Sequence, residues 1–176
     1  MSGGIRGQRT HPMQRRARNR GFTIIEVMIV TTLIAILAVL ARAAVLRINT
    51  HARASAFWND CRVFSEAFNR YAQERGSFPA DQTVARQLPA GMTDYLRQTN
   101  WLRTTPLGGN YEWDNKDAKN SFGVTFNGAI KVTGCTWTTA NLQSIDRWFD
   151  DGNLSAGNFR VTDAGATVFF VVEVAK

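Results

Sequence analysis

The chain has 176 residues, 44% hydrophobic and 20% charged, which suits one small globular domain with an additional segment. Its 11 Phe and 5 Trp exclude a solvated coil, and its 2 Cys exclude a disulfide-rich scaffold or a four-cysteine metal site. The net charge of +7 is local, because Met1–Gly21 holds Arg6, Arg9, Arg15, Arg16, Arg18 and Arg20 and no acid, leaving 15 basic residues against 14 acidic ones from Phe22 onward. A nucleic-acid footprint needs its basic residues on a folded surface, so no nucleic-acid partner is expected. No histidine follows His51, which removes a His-based triad or a His-ligated metal from the last two thirds of the chain.

After the arginines comes Phe22–Ala41, FTIIEVMIVTTLIAILAVLA, with Glu26 as its one charge. At about 1.5 Å per residue this run makes a helix of roughly 30 Å, the thickness of a bilayer's hydrocarbon core. The preceding arginines place the N-terminus in the cytoplasm and the remainder across the membrane. Arg42 and Arg47, just past the span, weaken that asymmetry without reversing it. Two plain alternatives compete. A secretory signal peptide is suggested by Arg15-Arg16 and by Ala41-Arg42-Ala43, but the run exceeds the usual apolar core of about 7–15 residues. An ordinary single-pass anchor leaves Glu26 unexplained, since an acid inside the hydrocarbon costs about 2.5–3.5 kcal/mol.

The arrangement Gly21-Phe22-Thr23-Ile24-Ile25-Glu26, between arginines and an apolar helix, resembles the prepilin cleavage and methylation motif of type IV pilins and type II secretion pseudopilins. The resemblance implies that a membrane prepilin peptidase cuts after Gly21 and N-methylates Phe22. The new Phe22 amine then offers Glu26 an opposite charge, within the chain or from a neighbouring subunit, which sets the register of assembly. The implied protein is a structural filament subunit, similar above all to the major pseudopilin. Its implied partners are the peptidase, identical and minor subunits, and an inner-membrane assembly platform with a cytoplasmic ATPase. It is expected first as a single-pass inner-membrane protein with a periplasmic C-terminal domain, then within a periplasmic filament. A type IV pilin or minor pilin is the nearest alternative; a membrane-anchored or exported binding module is the alternative of another class.

Neither Gly nor Pro occurs from Phe22 to Arg75, so one helix is expected throughout. Beyond residue 41 its apolar residues narrow to a stripe: Phe57, Cys61, Phe64, Phe68 and Tyr71 recur at spacings of four and three. That stripe needs a cover from the downstream chain, the alternative being a coiled-coil seam between subunits. Gly76-Ser77-Phe78-Pro79 stops the helix, and Tyr71–Pro79 also resembles the helix exit of the pseudopilins, as Thr105-Pro106-Leu107-Gly108-Gly109 resembles their entry into a sheet. Thr83–Gly91 reads as short helix or irregular chain. Strands are expected at Asn110–Asp114 and on both sides of Asn127-Gly128, whose sequence signals a hairpin turn between Phe122–Phe126 and Ala129–Thr133. Asn141–Asp150 carries Leu142, Ile145 and Phe149 on one helical face, and Asn158–Thr162 with Ala166–Val174 reads as a last hairpin. The expected class is α+β: a long N-terminal helix under a small, mostly antiparallel sheet. Its parts are a leader (1–21), a filament-core half helix (22–41), an amphipathic half helix (42–75) and a globular domain (76–176).

Candidate chemistry is sparse. Cys61 and Cys135 would face an oxidising compartment and are a candidate disulfide, against the reading of Cys61 as a free thiol in the apolar stripe. Asp150, Asp151 and Asn153 form an oxygen-rich group that suits calcium, and the pseudopilin resemblance implies a calcium site in the C-terminal loop region. The competing reading makes these acids, like Asp114 and Asp117, solvated loop residues. No phosphate-binding G-x-x-x-x-G-K run occurs, and the five tryptophans are scattered, which suits packing better than a carbohydrate platform. No enzyme is expected.

Overall fold

The computed structural model describes residues 21–82, 84–115, 126–162 and 165–174. These divide between Ala43 and Ala44 into two compact units. Helix α1, Ile24–Arg75, contributes to both.

In the first unit α1 opens directly after Thr23. The Thr23 hydroxyl oxygen accepts the Glu26 N–H at 3.3 Å and its carbonyl accepts the same N–H at 3.1 Å, satisfying a donor that the first turn leaves without an intrahelical partner. Glu26 therefore lies in the first turn, where the helix dipole favours an anion. Every described side chain from Gly21 to Arg42 is exposed, and the apolar stretch has the length and composition to cross a membrane.

In the second unit the stripe is covered. Phe57, Cys61, Phe64 and Phe68 are buried, and Ala54 and Ala67 complete their face with small side chains. Phe68 stacks on Trp113 with ring centroids 3.7 Å apart, and Phe64 meets Tyr111 edge-on at 5.0 Å. Burying each such ring stabilises the fold by about 1.5–3 kcal/mol, with roughly 0.5–1.5 kcal/mol more from the paired geometry. The helix ends where expected: Gly76 takes φ 78° and donates its N–H to the Ala72 carbonyl.

The cover is a four-stranded antiparallel sheet: β1 (Asn110–Asp114), β2 (Phe126–Thr133), β3 (Phe159–Thr162) and β4 (Thr167–Val174), in the order β1-β2-β4-β3. The last hairpin forms as read, with Thr162 opposite Thr167. Val168 and Phe170 face the helix-side core, while Phe169 and Val171 join Phe126 and Ala129 in a second cluster. This explains the nearly unbroken apolar run of β4, since a strand with both faces apolar need not alternate. Two further helices complete the unit: α2 (Gln98–Leu102), held by buried Trp101, and α3 (Thr139–Phe149). Thr138 caps α3 by accepting the Asn141 N–H, and Leu142 and Ile145 are its buried anchors.

The expected turn at Asn127-Gly128 is not formed. Both residues lie inside β2, where the pairing with β4 is interrupted by irregularities on either side of Gly128. A Cβ on Gly128 would sit 2.6 Å from the Trp113 ring, so glycine serves there to let the indole lie against the strand. Residues 122–125 of that expected hairpin lie outside the described residues. The described part of Thr83–Gly91 is irregular chain with turns rather than helix, and α2 follows it.

Candidate functional site

The residues marked by the prepilin resemblance share one short segment. Gly21 and Phe22 precede α1, so the bond between them is not held by the helical ladder; both are exposed, Phe22 at 79%. A Cβ at Gly21 would meet no atom within 4 Å among the described residues. Glu26 follows one helical turn later, and no salt bridge reaches it among the described residues. In the uncut chain Phe22 has no free amine, so the cation expected to meet Glu26 exists only after cleavage. The sequence reading missed that Thr23 and Glu26 stand at the spacing of a capping box, T-x-x-E, whose first half is made here.

The outer unit contributes rigidity rather than reaction chemistry. Asp60 on α1 accepts an ion-pair hydrogen bond on each carboxylate oxygen from one Arg103 nitrogen, Nη2, and a 2.8 Å hydrogen bond from the Tyr111 hydroxyl, tying the loop before β1 and β1 itself to the helix. Burial pushes the Tyr111 phenol far above its ordinary value, with Cys61 and Asp60 adding to the effect. Arg53 donates to the Pro106 carbonyl at 2.8 Å and lies over the Trp137 ring at 5.2 Å. Trp101 and Trp113 are core residues, Trp58 and Trp137 are half-buried, and Trp148 is exposed, so the tryptophans form no common platform.

The candidate disulfide is not formed. Cys61 and Cys135 are both free thiols. Cys61 is sealed within the aromatic core, where burial and then Asp60 raise its thiol well above the ordinary value. Cys135 is half-buried after β2, its Sγ 3.6 Å from the Leu107 carbonyl, and burial raises it too. Neither has the depressed pKa of a reactive cysteine.

The acidic group at the end of α3 converges on one point. Carboxylate oxygens of Asp146, Asp150 and Asp151 lie within 4.8 Å of one another. Asp146 is fully buried, and among the described residues its carboxylate makes no hydrogen bond of ordinary geometry, although the Gly152 backbone N–H lies close enough to work against the rise in its pKa. Burial, then the charges of Asp151 and Asp150, lift its carboxyl to about 6. Asp150 Oδ2 accepts the N–H groups of Asn158 and Phe159 at 2.6 and 2.7 Å, and a side chain at Gly157 would collide with it. Asp151 accepts the Asn153 N–H, while the Asn153 side-chain oxygen is taken by the Ser155 N–H. A buried carboxylate with no full hydrogen bond, set close to two others, fits a hard divalent cation, and calcium's preference for oxygen suits the set. Asp146 is the member that sequence reasoning missed; its i, i+4 relation to Asp150 was the available signal.

Fold and motif together describe an N-terminal segment that resembles the prepilin motif and leads into a long helix, whose outer half lies under a small antiparallel sheet. Residues 16–41 match the family described as the prokaryotic N-terminal methylation motif. The chain is 27% identical over 142 residues to the type II secretion system core protein G of Pseudomonas aeruginosa, covering 76% of this chain and 99% of that protein. It is also similar in structure to the major type IV pilin PilA1 from Clostridium difficile, with a TM-score of 0.46 and 13% identity, covering 72% of this chain and 98% of that one.

Proposed function

We propose that this protein is a structural subunit of a type II secretion pseudopilus. It enters the inner membrane through the inner half of α1, N-terminus in the cytoplasm and outer unit in the periplasm. A prepilin peptidase cuts after Gly21 and methylates Phe22, and the subunit passes into a helical filament with identical and minor subunits. The observation that carries this reading is the apolar half of α1: about twenty residues with every described side chain exposed, lying within the match to the methylation motif over residues 16–41. In the filament, helix–helix packing replaces lipid around those side chains, and repetition of one head-to-tail contact suffices to build it. Force comes from a separate cytoplasmic ATPase acting through a membrane platform, since this chain carries no nucleotide motif.

Glu26 has a specific task in this scheme. A carboxylate among lipid tails is costly, and the amine released on Phe22 compensates it when the two meet in the assembled helix bundle. Calcium bound by Asp146, Asp150 and Asp151 would supply positive charge that lets three carboxylates share one site, fixing the end of α3 to the start of β3.

N-terminal mass spectrometry of the mature protein tests the proposal. N-methyl-Phe22 is expected; an N-terminus at Ala44 would indicate a signal peptide, and Met1 a plain anchor. Glu26→Ala should be cleaved after Gly21 yet fail in methylation or assembly, and a normal filament yield would remove the role given to the acid. A type IV pilus is the second reading within the class, and long surface fibres containing this chain would favour it.

A further inference from the structure

We propose that the outer unit carries a binding site for the phosphate headgroup of an anionic phospholipid, where α3 lies beside residues 47–51 of α1. A cavity of about 310 Å³ opens there, lined by Arg47, Thr50, Asn141, Ser144, Arg147 and Trp148. Two guanidiniums line it and no carboxylate does, and neither arginine forms a salt bridge among the described residues. The acids just after α3 are turned elsewhere: Asp150 holds backbone N–H groups of Asn158 and Phe159, and Asp151 that of Asn153. The Thr50 and Ser144 hydroxyls donate back to the Leu46 and Ala140 carbonyls, which leaves the cavity rich in unspent donors from Arg47, Arg147 and the Asn141 amide. Guanidinium pairs bind phosphate oxygens in a directed, charge-assisted way.

Chain length makes a lipid the occupant. This step rests on the reading that the inner half of α1 spans a membrane. Arg47 is the sixth residue after Ala41, the last of the apolar run, and six residues reach at most about 20 Å even when extended. The cavity is therefore tethered to the membrane surface, where phosphates are concentrated. Val45, Leu46 and Ile48, flanking Arg47, are all exposed, so an apolar collar continues past the span. Trp148 is packed by one side on His51 at 4.7 Å and remains 38% exposed, the placement of an indole at a lipid–water boundary. The site also accounts for Arg47 on the side of the span that the positive-inside rule leaves poor in arginine.

The test uses the full chain in nanodiscs of phosphatidylcholine alone and of phosphatidylcholine mixed with phosphatidylglycerol, read by amide hydrogen exchange. Exchange over Thr139–Phe149 should slow several-fold in the phosphatidylglycerol discs. Arg47→Gln with Arg147→Gln should abolish the slowing while melting like the wild type in phosphatidylcholine. Arg62→Gln with Arg70→Gln, further along the helix, should keep it. Equal exchange in the two discs, slowing retained by the cavity variant, or slowing lost equally in the control variant would each overturn the proposal. Slowing reproduced by inorganic phosphate around phosphatidylcholine discs would assign the cavity to a soluble anion instead. Slowing that appears only when a second copy associates would assign it to an acidic neighbour. Failure of the chain to enter any disc would instead strike the membrane reading beneath it.

Discussion

The two halves of α1 place similar side chains in opposite circumstances. From Ile24 to Leu40 the apolar residues run around the whole helix and all are exposed; from Ala54 to Phe68 most gather on one buried face, with Ala56 and Val63 exposed outside it. A helix apolar all round needs a partner on every side, which lipid or a bundle of like helices supplies. A helix with one stripe needs a single cover, and here the chain supplies its own. The composition of a helix thus bears on where its partner is to be found: not among the described residues for the inner half, within the chain for the outer half.

Truncating one residue in each half breaks or sharpens this contrast, and it carries the largest expected effect. Phe68→Ala should destabilise the outer unit by about 3–5 kcal/mol, because the ring leaves a cavity beneath Trp113 that the sheet cannot fill. Leu37→Ala, at an exposed position of the inner half, should leave thermal unfolding of the same unit unchanged. Melting of both variants in detergent checks the pair. An equal loss in Leu37→Ala would mean that the inner half also leans on the folded domain, and the contrast would fail.

What the sequence disclosed follows from the range of the forces involved. The helix limits, the stripe and the closing hairpin are written in near-neighbour spacing, and they were legible. Phe57, Cys61, Phe64 and Phe68 could be set on one face because three and four residues bring side chains together in any helix. Asn127-Gly128 misled because its local turn preference was overridden by Trp113, a residue brought alongside by sheet pairing. Helix α2 gave no signal, having no side-chain cap hydrogen bond and only Trp101 to hold it down. At the acidic cluster Asp150 and Asp151 were visible as a pair, but the inward turn of Asp146 is a product of tertiary burial.

Gly128 offers a second, smaller perturbation of the outer half. Gly128→Ala would drive a methyl group into the Trp113 ring, and this overpacking should cost about 1–3 kcal/mol. Trp113 is fixed by its stack on Phe68 and by the hydrogen bond from its ring N–H to the Pro79 carbonyl at 3.1 Å, so it has little room to retreat. Denaturant unfolding of the variant measures the loss. A neutral result would mean that the strand shifts freely at its irregular point and that the glycine answers to backbone geometry alone.

Asp146 brings the smallest effect and tests whether the outer half carries a deliberate weak point. Its carboxyl is lifted from an ordinary 3.8 to about 6, so between those values the unfolded chain has released a proton that the folded chain still holds. Folding therefore takes up a proton in this window, and stability contributed by the neutral carboxyl is lost as pH rises from about 4 to about 6. In the presence of a chelator the melting temperature should carry that decline, and Asp146→Asn, which stays neutral, should flatten it, with the two proteins differing more at pH 7 than at pH 4. Added calcium should recover stability for the wild type at pH 7 and much less for the variant, because only the wild type has three carboxylates to share the ion. The same decline in both proteins would place the titrating group elsewhere, and the convergence of Asp146, Asp150 and Asp151 would then be an ordinary helix end rather than a site.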